Sequence, residues 1–189
     1  MKLWHCWTTL LAGACMATFV QAAEVKYYDV PRGAHPHDVA ADPRPDGPVW
    51  YTAQGQGALG RLDPASGKVE QIALGRGSSP HGVIVGPDGA PWVTDSGLNA
   101  IVRVDPQTRE VKRFQLPITD YTNLNTATFD KAGQLWFSAN AIVRFNPLTE
   151  RFDSFPSDKS GASVRQMLGR AGEAWGAESG NDRLVVVRH

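Results

Sequence analysis

The sequence has little cysteine, no excess of one charge, and no long apolar run after its first twenty residues. Its two cysteines are Cys6 and Cys15, and both lie in a segment that we expect to be removed. The expected mature chain therefore has no disulfide, thiolate metal site, c-type haem attachment or cysteine nucleophile. Nineteen basic residues balance nineteen acidic ones, which argues against nucleic acid as a partner. Amphipathic helical periodicity is also missing, and this absence favours an all-β fold.

The first residues have the layout of a cleavable secretory signal. Lys2 supplies a positive charge, an apolar stretch fills residues 3–20, and small residues follow it. We therefore predict a signal peptide at residues 1–23 and a periplasmic or secreted domain, without a membrane span, at residues 24–189. A membrane anchor and a lipidated Cys15 are the alternatives.

The remaining sequence repeats a unit of roughly 42 residues four times. Tryptophans mark the repeat at spacings of 42, 44 and 39 residues, and they are Trp50, Trp92, Trp136 and Trp175. Repeats of this length, with turn residues between short apolar runs, are typical of β-propeller blades, and we expect the tryptophans in the blade cores. The predicted repeats lie near 32–74, 75–117, 118–156 and 157–189. A stacked solenoid is the structural alternative.

The second repeat indicates how one unit folds. Residues 83–85 are a short apolar run, and Gly-Pro-Asp-Gly at 86–89 has the residues of a tight turn. Further strands are predicted at 91–94, 101–104 and 111–116. Four meandering strands without an intervening helix make one propeller blade.

A propeller must hide the strand edges that remain where its ring closes. The fourth repeat ends with sequence for only three strands, whereas residues 27–31 resemble the fourth-strand ending at 114–117. We therefore predict that an N-terminal strand within residues 24–31 completes the last blade and closes the ring.

The second repeat also resembles the repeat of the virginiamycin B lyase (streptogramin lyase) family. The matching motifs are Pro-His-Gly at 80–82, Gly-Pro-Asp-Gly at 86–89, Trp-x-Thr-Asp at 92–95 and Asn-x-Ile-x-Arg-x-Asp-Pro at 99–106. The resemblance covers essentially the whole expected mature chain and implies a β-propeller. Members of this family usually carry seven blades, so the resemblance implies that about three internal blades are missing here.

The third repeat contains a short hairpin that fits this difference in blade number. Trp136 precedes Ile142 by six residues, whereas the corresponding distance in the other three repeats is nine. We infer that two blades that were separate in an ancestor are joined here. A compact four-bladed ring is the alternative, and a ring short of blades could also associate with a second copy of itself.

Two positions in each repeat should line the central channel, where the ligands of propellers gather. One begins the first strand and the other follows Trp-x-Thr. At the first position the sequence has His37, His81, Asn125 and, depending on a one-residue choice of alignment, Val164 or Arg165. At the second position the ionisable residues are Asp95 and Glu178.

The resemblance implies an elimination that opens the ring of a cyclic depsipeptide ester without adding water. A histidine general base would take the proton α to a carbonyl, and a Mg²⁺ ion held by carboxylates would offset the developing negative charge. The resemblance matches His81 and His37 to the catalytic histidines. It matches Asp95 and Glu178 to the magnesium ligands. Asn125 and Arg165 are the expected substrate contacts.

Structural roles for the same residues stay open. His81 could bond the backbone of a neighbouring blade, His37 could mark a strand entry, and Asp95 could cap its own hairpin. Two other functions also stay open: a non-catalytic propeller that binds a peptide, sugar or protein, and a lactonase-like hydrolase that opens a cyclic ester with water. In the enzyme cases the expected ligand is a small cyclic peptide or ester.

Overall fold

The computed structural model describes residues 23–117 and 122–189, and most of these residues lie in strands and the turns that join them. The strands are β1 Pro36–Ala41, β2 Val49–Ala53, β3 Ala58–Leu62, β4 Val69–Ala73, β5 Pro80–Val85, β6 Pro91–Asp95, β7 Ala100–Val104, β8 Val111–Gln115, β9 Ala127–Phe129, β10 Leu135–Ser138, β11 Ala141–Asn146, β12 Arg151–Pro156, β13 Val164–Arg170, β14 Glu173–Glu178 and β15 Arg183–Arg188. Two 3-10 turns span Gln54–Gln56 and Ser179–Asn181. Within the described residues, no helix has the length and apolar character needed to cross a membrane. The predicted signal peptide lies, apart from its last residue, outside the described residues.

The strands form four antiparallel sheets in chain order. The first three sheets, β1–β4, β5–β8 and β9–β12, have four strands each, and the last, β13–β15, has three. Strand β1 lies against β5, β5 against β9, and β9 against β13, so the first strand of each sheet is the innermost one. The all-β fold and its propeller-like arrangement of four blades are therefore confirmed.

The predicted closure of the ring by the N-terminal segment is not confirmed. Residues 23–35 contain no strand. The hydroxyl group of Tyr28 donates a hydrogen bond to the carbonyl oxygen of Pro64 (2.9 Å), and Val30 packs against the buried cluster around Tyr51. The segment thus lies on the first blade, because its aromatic and apolar side chains find partners there, and the fourth sheet keeps three strands.

Apolar side chains from neighbouring blades pack on each other to form the core. Trp50 belongs to the buried cluster between the first and second blades, Trp92 to the one between the second and third, and Trp136 to the one between the third and fourth. These three indole groups are at most 4% exposed, as the repeat predicted. Trp175 of the last blade is only partly buried.

A hydroxyl group on the second strand ties the first blade to the second. Thr52 accepts a hydrogen bond from the backbone N–H of Asp38 in its own blade (2.9 Å). Its hydroxyl group donates to the carbonyl oxygen of His81 in the next blade (2.8 Å). One side chain therefore holds the first strands of two adjacent blades in a fixed relation.

The same device recurs at the next two junctions and stops in the last blade. Thr94 donates to the carbonyl oxygen of Asn125. At the third junction, Thr126 donates to the carbonyl oxygen of Arg165 (3.1 Å), and the hydroxyl group of Ser138 lies 3.4 Å from the same oxygen. The equivalent residue of the fourth blade is Ala177, which has no hydroxyl group. The third residue of the repeated Trp-x-Thr motif therefore joins adjacent blades by a hydrogen bond.

The hairpin of the third blade is shortened, as its sequence spacing indicated. Only residues 139 and 140 separate β10 from β11, whereas four residues separate the second and third strands of every other blade. Ser138 nevertheless pairs with Ile142 in a regular antiparallel register. The junction between the two parts of this repeat therefore folds as an ordinary hairpin.

Candidate histidine site

The predicted channel positions lie where the register of three inner strands shifts. The pairs that precede the shifts are Pro36–Ala53, Pro80–Asp95 and Val164–Glu178. The residues within the shifts are His37, Asp38, His81, Arg165 and Gln166. A bulge leaves residues unpaired and redirects their side chains, and bulges are common beside active sites. Since Val164 holds the paired position, Arg165 is the equivalent of His81 in the fourth blade.

His37 and His81 come together across the junction of the first and second blades. Their ring centroids are 4.0 Å apart, with a tilt of 48° between the planes. Nδ1 of His37 also lies 2.9 Å from Oδ1 of Asp38. Each of the three side chains offers a ligand atom within 4.8 Å of the other two. We call His37, Asp38 and His81 the histidine cluster.

His81 is a partly buried member of the histidine cluster. Burial is the main influence that lowers the pKa of its imidazole; the neighbouring His37 and Arg165 lower the pKa further, and Asp38 acts in the opposite direction. Its imidazole is therefore neutral at neutral pH. Nδ1 of His81 is also buried without a hydrogen-bond partner, although buried polar atoms are normally bonded.

The two predicted substrate contacts lie at the same end of the inner strands. Arg165 is exposed, and it has a small electrostatic influence on the pKa of His81. Asn125 is buried, and its backbone N–H donates to the carbonyl oxygen of Ser138 (2.9 Å). This hydrogen bond and the one from Thr94 to its carbonyl oxygen hold the backbone of Asn125 in place.

Asp95, a predicted magnesium ligand, is enclosed in its own hairpin. It is fully buried, and its Oδ1 accepts hydrogen bonds from the backbone N–H groups of Ser79 (2.9 Å) and Leu98 (3.0 Å). The hydroxyl group of Ser78 donates to Oδ2. Both carboxylate oxygens are thus used to fix the loops at this end of the second blade.

Glu178, the other predicted magnesium ligand, is held in an ion pair. Its Oε1 accepts hydrogen bonds from Arg183 (2.7 Å), Asn181 (2.6 Å) and Ser157 (2.9 Å). These bonds, with that of Arg183 the strongest influence, hold the pKa of the Glu178 carboxyl group below its usual value. A guanidinium group already neutralises this buried carboxylate.

These two carboxylates do not fit a shared magnesium site. Among the described residues, His37, Asp38 and His81 form the group whose possible ligand atoms converge, and neither Asp95 nor Glu178 belongs to it. Mg²⁺ also needs near-octahedral oxygen ligands, whereas the converging group supplies two nitrogens. The magnesium assignment stays a prediction.

A cavity of about 280 Å³ lies at the opposite end of the strands, between the third and fourth blades. It is lined by Trp136, Glu173 and His189, among others. None of the predicted site residues contributes to it, since they all lie at the starts of inner strands or after second strands. The predicted catalytic and ligand-binding side chains therefore lie away from this cavity.

Two functional features were missed by the reasoning from sequence. Asp38 was not assigned a role, although its place directly after His37 is a signal that could have found it. The hydroxyl groups of Thr52, Thr94 and Ser138 were read only as part of a motif. Because these hydroxyl groups recur one repeat apart, their role in joining blades could have been inferred from the sequence.

The fold and the site define an open section of a β-propeller with a histidine cluster at one end of its inner strands. A profile of the virginiamycin B lyase family matches residues 4–187, and the chain belongs to this family. No curated protein sequence matches the chain.

Solved structures of lyases share this fold. A virginiamycin B lyase from Staphylococcus aureus is 22% identical, with a TM-score of 0.75, and the match covers 85% of this chain and 54% of that one. A catalytically inactive histidine-to-alanine variant of that lyase with quinupristin is also 22% identical, with a TM-score of 0.78 and coverages of 88% and 56%. A streptogramin B lyase structure has a TM-score of 0.71, an identity of 22% and coverages of 86% and 57%.

The chain thus spans little more than half the length of these lyases, which fits the absence of about three blades. Hydrazine synthase from Kuenenia stuttgartiensis shares the fold as well, with a TM-score of 0.58, 17% identity and coverages of 90% and 53%. Fold similarity therefore does not specify the activity, which has to be argued from the site.

Proposed function

We propose that this protein is a lyase-like propeller that opens the ring of a cyclic depsipeptide ester by elimination. The observation that carries the proposal is the histidine cluster, in which His81 and His37 meet at equivalent positions of adjacent blades. The inactive variant of the Staphylococcus aureus lyase supports it, because that enzyme loses catalysis when one histidine is replaced by alanine. The export predicted from residues 1–23 is part of the same proposal.

His81 is the general base in this mechanism. A ring nitrogen takes the proton from a carbon α to a carbonyl group, and the electrons of the C–H bond form a carbon–carbon double bond. The ester C–O bond on the neighbouring carbon breaks, and the carboxylate leaves with the electron pair. No water is added, so the opened product has the mass of the ring.

The neighbours of His81 orient the substrate and stabilise the negative charge that develops during the reaction. We assign the Nδ1–H tautomer to His37, because the adjacent carboxylate of Asp38 only accepts hydrogen bonds. This leaves Nε2 of His37 as an acceptor for a substrate N–H group. Arg165 supplies the positive charge that stabilises the enolate-like state, since its charge already reaches His81.

Quinupristin turnover, followed by mass spectrometry in the presence of EDTA, tests this function. We expect a ring-opened product of unchanged mass, with a rate lowered about 10²- to 10⁴-fold by His81→Ala, as for removal of a general base. His35→Asn is the matched control, because His35 lies two residues from His37 but outside the cluster, and it should keep full activity.

Other outcomes would assign a different function. Binding of quinupristin without any product would favour a non-catalytic binding propeller. A product heavier by one water would favour a lactonase-like hydrolase. Turnover that needs added Mg²⁺ and is lost in EDTA would contradict the metal-free mechanism.

A further inference from the structure

The histidine cluster has the donor atoms of a transition-metal site. Its three ligand atoms lie within 4.8 Å of one another. A tetrahedral ion with bonds of 2.0–2.1 Å places its donors about 3.3 Å apart, so the most distant pair must approach by about 1.5 Å. The side chains of His37 and Asp38 are 41% and 31% exposed, and rotation about their χ angles can supply this movement.

His81 provides a second, independent observation. Its Nδ1 is buried and lacks a hydrogen-bond partner in the structure. An unsatisfied buried polar atom is unfavourable, and an ion coordinated by Nδ1 would supply the partner that this atom lacks. The backbone of His81 is meanwhile fixed by the hydroxyl group of Thr52, so one ligand is already positioned before an ion arrives.

The chemistry of the donors selects the kind of ion. Imidazole nitrogens suit Zn²⁺, Cu²⁺, Ni²⁺ and Fe²⁺, whereas Mg²⁺ prefers oxygen ligands and retains its water. From two imidazoles and one carboxylate at the junction of two blades, we infer that His37, Asp38 and His81 bind one divalent transition-metal ion, such as Zn²⁺ or Co²⁺, in preference to Mg²⁺. Three protein ligands leave at least one coordination position for water or another small ligand.

This metal site goes beyond the proposed lyase reaction and does not depend on it. One consequence does rest on that function: an ion bound to His81 removes the lone pair that acts as base. Saturating Zn²⁺ should then inhibit turnover, and a chelator should restore it. The cluster would in this way respond to the availability of transition metal.

Titration of the full chain with metal alone tests the inference. Calorimetry with Zn²⁺ and visible absorption with Co²⁺ should each show one ion per chain, and Mg²⁺ at the same concentrations should not bind. His37→Gln, His81→Gln and Asp38→Asn should each weaken Zn²⁺ binding at least ~10-fold, since even outer-shell partners of a metal account for 10- to 100-fold in affinity.

The control variant is His35→Asn, which removes a nearby imidazole from outside the cluster. His35 has a φ of +46°, and asparagine tolerates this left-handed conformation. Its affinity for Zn²⁺ should be unchanged. Thermal unfolding of each variant without metal checks that it is folded, and Asp38→Asn keeps the size of the original side chain.

Three results would overturn the inference. The first is that the wild-type chain binds neither Zn²⁺ nor Co²⁺. The second is that all three cluster variants bind Zn²⁺ with the affinity of the wild-type chain. The third is that His35→Asn weakens Zn²⁺ binding as much as the cluster variants do. Metal binding without quinupristin turnover would leave this inference standing and remove the proposed function. Turnover of quinupristin without metal binding would overturn this inference and leave the proposed function standing.

Discussion

The second and fourth blades come from the same repeat, yet only the second is held on both sides. Thr52 bonds it to the first blade and Thr94 bonds it to the third, and every residue of β6 is buried. The fourth blade has Ala177 at the hydroxyl position, and Leu168 and Leu184 are 66% and 74% exposed.

This difference shows what the repeat specifies and what the neighbours add. The repeat is sufficient for a meander of strands, since all four copies form one. A fixed position for a side chain at the start of an inner strand also needs a hydroxyl group from the blade before it. His81 has that support from Thr52, and its blade is also bonded to the third blade through Thr94.

The largest effect is expected from removing the hydroxyl group that joins the second blade to the third. Thr94→Val leaves the carbonyl oxygen of Asn125 and the backbone N–H of Gly82 without their partner. Two buried groups without partners should lower the free energy of unfolding by about 2–4 kcal/mol. The matched substitution Ala177→Val should change it by less than ~0.5 kcal/mol, as urea denaturation can measure. Equal losses in both variants would remove the contrast between the blades.

The division into blades was predictable because each repeat carries its own local signals. The strands predicted at 83–85, 91–94, 101–104 and 111–116 correspond to β5, β6, β7 and β8 within a few residues. Turn residues and short apolar runs act over a few positions, so one sequence suffices to find them. Closure of the ring was not predictable in this way, because Tyr28 found its partner 36 residues away, on the first blade.

The site was predictable to the extent that it follows from the repeat. His37 and His81 hold equivalent positions on adjacent inner strands, so their approach follows from the blade geometry. The surroundings of Asp95 and Glu178 depend on particular neighbours that the repeat does not encode. Arg183 is the clearest example, because it pairs with Glu178 and no other blade has this pair at the equivalent place.

A smaller effect is expected at the two carboxylates that follow the second strands. Asp95→Asn puts an amide group against two backbone N–H donors and should lower the free energy of unfolding by about 1–3 kcal/mol. Glu178→Gln should cost less, because Arg183 keeps its other partner, Asp158 (2.7 Å). Neither change should alter the affinity for Zn²⁺. A loss of Zn²⁺ binding in folded Asp95→Asn would show that the carboxylate belongs to the metal site after all.

The smallest effect is expected from acid at the hairpin of the fourth blade. Glu173 accepts hydrogen bonds from Arg170 (2.6 Å) and from the indole N–H of Trp175 (2.8 Å). These bonds, that of Arg170 foremost, lower the pKa of the Glu173 carboxyl group from 4.5 to about 2. A lowered pKa in the folded state stabilises the protein above pH 4.5, and this stabilisation is lost as the pH falls towards 2.

Comparison of the wild-type chain with Glu173→Gln isolates this effect. The difference in their free energies of unfolding should be largest above pH 4.5 and should shrink towards zero near pH 2. A difference that is independent of pH would mean that the ionised carboxylate of Glu173 does not stabilise the last blade.

The central claim is that the functional centre is the histidine cluster at the junction of the first two blades. Imidazole-detected NMR of chain labelled with ¹⁵N-histidine, titrated with quinupristin, tests this claim most directly. We expect the resonances of His37 and His81 to shift together on binding, while those of His35 and His189 stay unchanged. Saturable binding of quinupristin that leaves His37 and His81 unshifted would contradict it.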